Sequence, residues 1–97
     1  MDWPDQRLTR DGQTLTRDEQ ALVDALCRVK KLTPREREVF NLLGLGLSNR
    51  LIGWRLELSE PRVKAHVTRI LNKLDLQSRT QAAIVAFASR RQQEGFE

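Results

Sequence analysis

The strongest constraint on the fold lies in residues 59–74, where apolar residues recur with the period of an α-helix. They are Val63, Val67, Ile70, Leu71 and Leu74. At 100° per residue these positions form one stripe. Ser59 stands where an N-cap is needed, and Pro61 falls in the first turn, where its missing N–H has no intrahelical role. The segment therefore predicts an amphipathic helix.

The face opposite this stripe is small, polar and basic. It consists of Pro61, Ala65, Thr68, Arg69 and Asn72, flanked by Arg62, Lys64 and Lys73. Donors and small methyl groups are what the base edges of a DNA major groove accommodate. The face therefore favours a helix that reads DNA over an ordinary solvated surface, which is more often rich in Glu.

Similar signals divide the rest of the chain into helices. Capping-box spacing is found at Thr16 and Glu19, Thr33 and Glu36, and Ser78 and Gln81. Pro34 suits the first helical position after Thr33, and Ser48 caps a short helix to about residue 56. Gly44 and Gly46 are expected to end the helix that starts at 34. Because no stretch of four or more residues between turn signals alternates polar and apolar, we predict an all-α chain with an irregular lead-in at 3–14.

Charge and composition narrow the functional classes. Residues 48–79 hold seven basic and three acidic residues and so carry the whole net charge of +4. A basic stripe is typical of proteins that bind phosphate backbones. One His, one Cys and no Tyr leave no catalytic or metal-ligating cluster, so we expect no enzyme activity, cofactor or metal site. The lone Cys27 is expected in the core. Without an apolar run of about 20 residues or a signal peptide, the chain is predicted to be cytoplasmic and to make no membrane contact.

Five ordered segments carry a family resemblance. They are LTPREREV at 32–39, GLSN at 46–49, VKAHV at 63–67, ILNKL at 70–74 and SRTQAA at 78–83. This series resembles the LuxR-type helix-turn-helix family of bacterial transcription regulators over about residues 32–88. The resemblance implies a four-helix domain whose third helix, at about 59–74, lies in the major groove. An extra N-terminal helix at about 16–31 would precede it.

The resemblance also implies residue roles. Lys64, Ala65 and Thr68 would face bases. The phosphate contacts would come from Ser48, Asn49, Arg62, Arg69, Lys73, Ser78 and Arg79. The side chains suit these roles, because Lys donates to guanine or phosphate and the methyls of Ala and Thr match thymine. His66 lies about 75° from the centre of the apolar stripe by helical periodicity, so a half-buried packing role is expected.

Three positions depart from the family. Glu57 stands where the tight turn usually has glycine, and Leu51 replaces an acidic residue that would complete the Ser48 cap. Trp54 points about 160° from the buried side of its helix, so Trp54 and Leu51 are both expected to be exposed. We interpret them as a possible protein contact, covered by the helix of Leu22, Leu26 and Val29 from this or a partner subunit.

The last helix suggests a dimer. It is apolar nearly all round, and its small residues would allow close approach of a second helix. The expected interface consists of Ala82, Ala83, Val85, Ala86 and Phe87. The resulting prediction is a homodimer on double-stranded DNA, with no small-molecule ligand indicated.

Two alternatives stay open. One is an interaction module that heterodimerises with other LuxR-type regulators, and the other is a sigma-factor-like segment that reads promoters. The predicted organisation is an extension at 1–31, the LuxR-type domain at 32–91 and a tail at 92–97.

Overall fold

Five α-helices make up most of the part of the chain that the computed structural model describes, namely residues 7–8 and 14–94, with side chains from 15 to 91. The helices are α1 (Arg17–Arg28), α2 (Pro34–Gly44), α3 (Asn49–Leu56), α4 (Glu60–Leu74) and α5 (Arg79–Glu94). A 3₁₀ turn at Val29–Lys31 follows α1. Two short strands, β1 (Arg7–Leu8) and β2 (Thr14–Leu15), pair in antiparallel fashion. The all-α prediction is confirmed.

The helix starts follow the predicted capping signals. Thr16 Oγ1 accepts from Glu19 N at 3.1 Å, and Glu19 Oε1 accepts from Thr16 N at 2.8 Å. Thr33 and Glu36 form the same reciprocal box at the start of α2. At α5, Ser78 Oγ accepts from Gln81 N at 3.2 Å, but the Gln81 side chain accepts from the N–H of residue 77. Three helix starts are therefore fixed locally, by side chains three residues apart.

The core lies where α2, α4 and α5 meet. α1 packs against α4 and α5, and α3 packs against α4. The largest fully buried side chains are Phe40, Leu43, Ile52, Ile70, Leu74, Val39, Val63 and Val85. These residues come from four helices, α2 to α5. Within this core, α4 is buried along its apolar stripe. The opposite side of α4 remains exposed.

α2 and α5 approach each other closely, and their contact corrects two predictions. A Cβ at Gly44 would lie 2.8 Å from Ala86 Cβ, so glycine is required there by α5 rather than by a turn. Gly44 is the last residue of α2, and the left-handed φ of 82° belongs to Gly46. Ala82, Val85 and Ala86 are at most 2% exposed. Their small side chains serve close packing inside the chain, so they are not available to a dimer partner.

Other predictions concern the ends of the chain and Cys27. Cys27 is exposed, so its prediction as a core residue was wrong. α5 continues to Glu94, three residues beyond the predicted end. Residues 3–6 and 9–13 of the predicted irregular lead-in, and 95–97 of the predicted tail, lie outside the described residues. The described residues of that lead-in, 7–8 and 14, are in the two short strands instead. Among the helices that are described, none is long and apolar enough to cross a membrane.

Candidate nucleic-acid interface

A tight turn between α3 and α4 sets the angle of the helix-turn-helix. Glu57 closes α3 with φ 59° and ψ 45°, a left-handed conformation. The N–H of Leu58 donates to Gly53 O at 2.8 Å, and a Cβ at Gly53 would lie 2.4 Å from Leu58 O. Gly53 is thus required by the close approach of the turn to α3. Glu57 thus has the left-handed backbone that glycine would favour at this turn, whereas no sequence signal had marked Gly53.

The exposed face of α4 presents the predicted base-contacting residues together. Val63, Val67, Ile70 and Leu74 are buried on the opposite side. Lys64, Ala65 and Thr68 are exposed. Thr68 Oγ1 donates to Lys64 O at 3.1 Å, so its hydroxyl proton is engaged within the helix. The Thr68 oxygen can still accept a hydrogen bond from a base amino group, and its methyl can contact thymine.

Two cations, Arg62 and Arg69, flank this row, and Lys64 belongs to it. Arg62, Lys64 and Arg69 are exposed, and no ion pair found among the described residues involves them. Glu60, in the first turn of α4, is the acidic residue of that helix. Cations without internal carboxylate partners are free to neutralise phosphates. The outer face of α4 therefore combines small groups, a hydroxyl and uncommitted positive charge.

Lys73, which was predicted to contact a phosphate, has an internal partner in the unbound chain. Its Nζ lies 2.7 Å from Glu36 Oε1, which also accepts from Thr33 N at 2.9 Å. Glu36 is 4% exposed. Burial opposes ionisation of this carboxyl, but the hydrogen bonds from Lys73 and Thr33 and the charge of Lys73 outweigh it and lower the pKa of Glu36. In the unbound chain the Lys73 ammonium therefore pairs with a buried carboxylate, and its phosphate contact stays a prediction.

Arg79 and Asn49 also make internal bonds. Arg79 Nη2 donates to Leu47 O at 2.6 Å, and Arg79 Nη1 donates to Asn49 Oδ1. Through these hydrogen bonds the half-buried guanidinium links the start of α5 to the loop before α3. Ser48 Oγ accepts from Leu51 N at 3.2 Å, as predicted for a cap. Ser48 and Ser78 are exposed, so their hydroxyls remain accessible from outside.

Comparison with known proteins now places this site in a family. The model for bacterial regulatory proteins of the luxR family matches residues 30–86, more than half of the chain. The chain belongs to the LuxR family. This assignment confirms the resemblance drawn from the five sequence segments, and it favours a LuxR-type regulator over a sigma-factor-like segment.

Several response regulators are similar to this LuxR-family domain. Nitrate/nitrite response regulator protein NarL of Escherichia coli K12 is 46% identical over 56 residues, which cover 58% of this chain and 26% of NarL. VraR of Staphylococcus epidermidis is 40% identical over 88 residues, covering 84% of this chain and 42% of VraR. Transcriptional regulatory protein LiaR of Bacillus subtilis is 41% identical over 75 residues, covering 77% of this chain and 35% of LiaR. The chain thus spans less than half the length of these relatives.

The family assignment supports a DNA-binding domain that serves transcription regulation, and it agrees with the prediction that the chain is not an enzyme. Those relatives are named as regulators. Within the LuxR-family domain, His66 is half-buried, as expected, and its Nδ1 is fully buried without a hydrogen-bond partner in the described structure.

The two apolar departures from the LuxR pattern are exposed on α3, as predicted. Trp54 is 80% exposed and Leu51 is 49% exposed. The proposed cover from α1 of the same chain is wrong, because α1 packs against α4 and α5 instead. Leu22 and Leu26 are half-buried against the core on that side. The outer face of α3 is thus left open by the described part of its own chain.

Proposed function

We propose that this chain binds a specific double-stranded DNA site with α4 in the major groove and regulates transcription as a dimer. The observation that carries the proposal is the exposed face of α4, where Lys64, Ala65 and Thr68 stand together opposite a fully buried stripe. A helix with one covered side and a free side of small polar residues fits the width of the groove. Lys64 would donate to a guanine or a phosphate, and Thr68 and Ala65 would contact adjacent bases.

Phosphate contacts would come from two kinds of group. Arg62 and Arg69 flank the base-facing row and have no internal ion pair among the described residues. The start of α3 offers N–H groups beside the exposed Ser48, and anions are favoured at helix N-termini. Ser78 offers a second exposed hydroxyl at the start of α5. In this proposal Arg79 and Asn49 act by holding the loop between α2 and α3 in place.

The dimer surface would be the exposed row of α5. Ile84 is 50% exposed and Phe87 is 54% exposed, with the half-buried Ala83 on the same helix. Leu45, at the end of α2, is exposed beside Phe87. Apolar residues on an outer face are typical of interfaces. Two copies related by a two-fold axis would place their α4 helices on half-sites about 10 base pairs apart.

A second protein contact is supported by Trp54 and Leu51. Their exposure next to the basic residues Arg50 and Arg55 marks a surface separate from the α5 row. A partner subunit or a different LuxR-type regulator would bind there. Replacing Leu51 and Trp54 together by Ala should weaken that association in sedimentation experiments, with DNA affinity retained. Unchanged association would remove this candidate.

Selection of binding sites from random DNA tests the main proposal. We expect an enriched motif, and Thr68→Ala should relax the preference at one base position. Arg69→Gln should instead weaken binding to all sequences alike, because phosphates carry no sequence information. Steep salt dependence without any enriched motif would contradict sequence-specific binding and leave only phosphate attraction.

A further inference from the structure

A shallow cleft runs along one edge of the base-facing row. Its lining residues are Arg35, Leu58, Arg62, Ala65, His66 and Arg69. Arg35 comes from the first turn of α2, Leu58 from the turn before α4, and the other four from successive turns of α4. Three of the six are arginines, and no carboxylate lines the cleft. A cleft that is lined by three guanidinium groups and no carboxylate favours the binding of an anion.

We propose that this cleft holds a backbone phosphate of bound DNA and that Arg35 is one of its ligands. The inference rests on the proposed function and extends the DNA contact from α3 and α4 to α2. Ala65 belongs both to the base-facing row and to the cleft lining, so the cleft borders the groove-reading surface. The phosphates that border a major groove lie beside a helix inserted into it. A phosphate in the cleft would therefore fix the register of α4.

The guanidinium of Arg35 is already oriented. Its Nη1 donates to Glu38 Oε1 at 3.1 Å, and its Nη2 lies 3.4 Å from Leu56 O, a long hydrogen bond. Since a guanidinium carries five N–H donors, these two contacts leave donors for a phosphate. The partner carboxylate, Glu38, is itself half-exposed. Arg35 is thus held in position without being neutralised by a buried acid, in contrast to Lys73.

His66 also lines the cleft. Its Nδ1 is buried without a partner in the described structure, so a proton there would bury an unpaired N–H. We assign the proton to Nε2, on the other edge of the ring. Because that assignment makes Nε2 a donor, His66, which lines the cleft, can donate to the same anion as the three arginines.

Salt dependence of binding to a mixed-sequence DNA duplex tests the proposal. Each phosphate contact contributes about 0.9 to the slope of log affinity against log salt. Between 50 and 200 mM salt, the fold-loss of affinity should therefore be about 3.5 times smaller for Arg35→Gln than for the unmodified chain. Arg35→Lys, which keeps the charge, should retain most of the slope. Lys30→Gln, in the 3₁₀ turn after α1, removes the same charge from an exposed site outside both the cleft and the α5 row and should leave the slope unchanged.

Glu38→Gln separates a phosphate ligand from a structural arginine. This variant breaks the Arg35–Glu38 ion pair but leaves the guanidinium, so we expect an equal or steeper slope. If Arg35→Gln left the slope unchanged, or if Glu38→Gln lowered it equally, Arg35 would not bind phosphate and the proposal would be overturned. Failure of the unmodified chain to bind the duplex would instead refute the proposed function itself.

Discussion

Two groups of basic residues on α4 and α5 have the same charge and different surroundings. Lys73 pairs with the buried carboxylate of Glu36, and Arg79 donates to Leu47 O and Asn49. Arg62 and Arg69 face outward with no ion pair in the described structure. We refer to the first pair as the anchored cations and to the second as the open cations. Partly buried internal acceptors distinguish the anchored cations from the open cations, and also from Arg35, whose internal acceptors are exposed.

The largest expected effect is on the anchored Lys73. Lys73→Met should lower the free energy of unfolding by about 2–3 kcal/mol, because it leaves the Glu36 carboxylate buried without its cation. Urea denaturation measures the loss. Adding Glu36→Gln to Lys73→Met should recover part of the stability, since a neutral amide can still accept from Thr33 N. No recovery would show that the lost contribution came from the Lys73 stem rather than from its charge.

Low pH should weaken the ion pair between Lys73 and Glu36. The folded-state pKa of Glu36 lies below its unfolded-state value of about 4.3. The stabilisation is therefore complete above that pH and is lost as the pH falls through the lower folded-state pKa. Thermal unfolding across this range should show a steeper acid loss for the unmodified chain than for Glu36→Gln. Parallel curves would contradict the role of Glu36.

Arg79 should have a smaller effect on stability. Arg79→Gln should lower the free energy of unfolding by about 1.5 kcal/mol, because the loop carbonyl of Leu47 and Asn49 lose a charged donor. Arg69→Gln is the matched control among the open cations, and it should change stability by less than about 0.5 kcal/mol. Equal losses in the two variants would break the distinction between anchored and open cations.

The smallest effect concerns Glu57, in the turn that leads to the open cations. Glu57→Gly should raise the free energy of unfolding by at most about 1 kcal/mol, because a left-handed backbone suits glycine better. Differential scanning calorimetry measures the change. Asp75 ends α4 with the same left-handed backbone, at φ 56°. The variant Asp75→Gly is therefore the comparison outside this turn. A clear loss of stability in Glu57→Gly would mean that the Glu57 side chain contributes an interaction stronger than the backbone cost.

Local features of the fold were predictable, and distant ones were not. The Thr33–Glu36 box and the outward direction of Trp54 follow from spacing within one helix. The Lys73–Glu36 pair joins residues that are 37 positions apart, so no sequence window contains both. In α5, an almost continuous apolar run hides which face meets the core, and Ala82 and Ala86 were therefore assigned to a dimer instead of to α2.

The most direct test of the open face of α4 is an NMR titration of the chain with a duplex that carries a selected site. We expect the amide signals of residues 60–69 to shift most, together with those near Arg35. Signals of residues 18–24, in α1, should stay in place. The largest shifts along α1, with residues 60–69 unchanged, would contradict α4 as the helix that reads DNA.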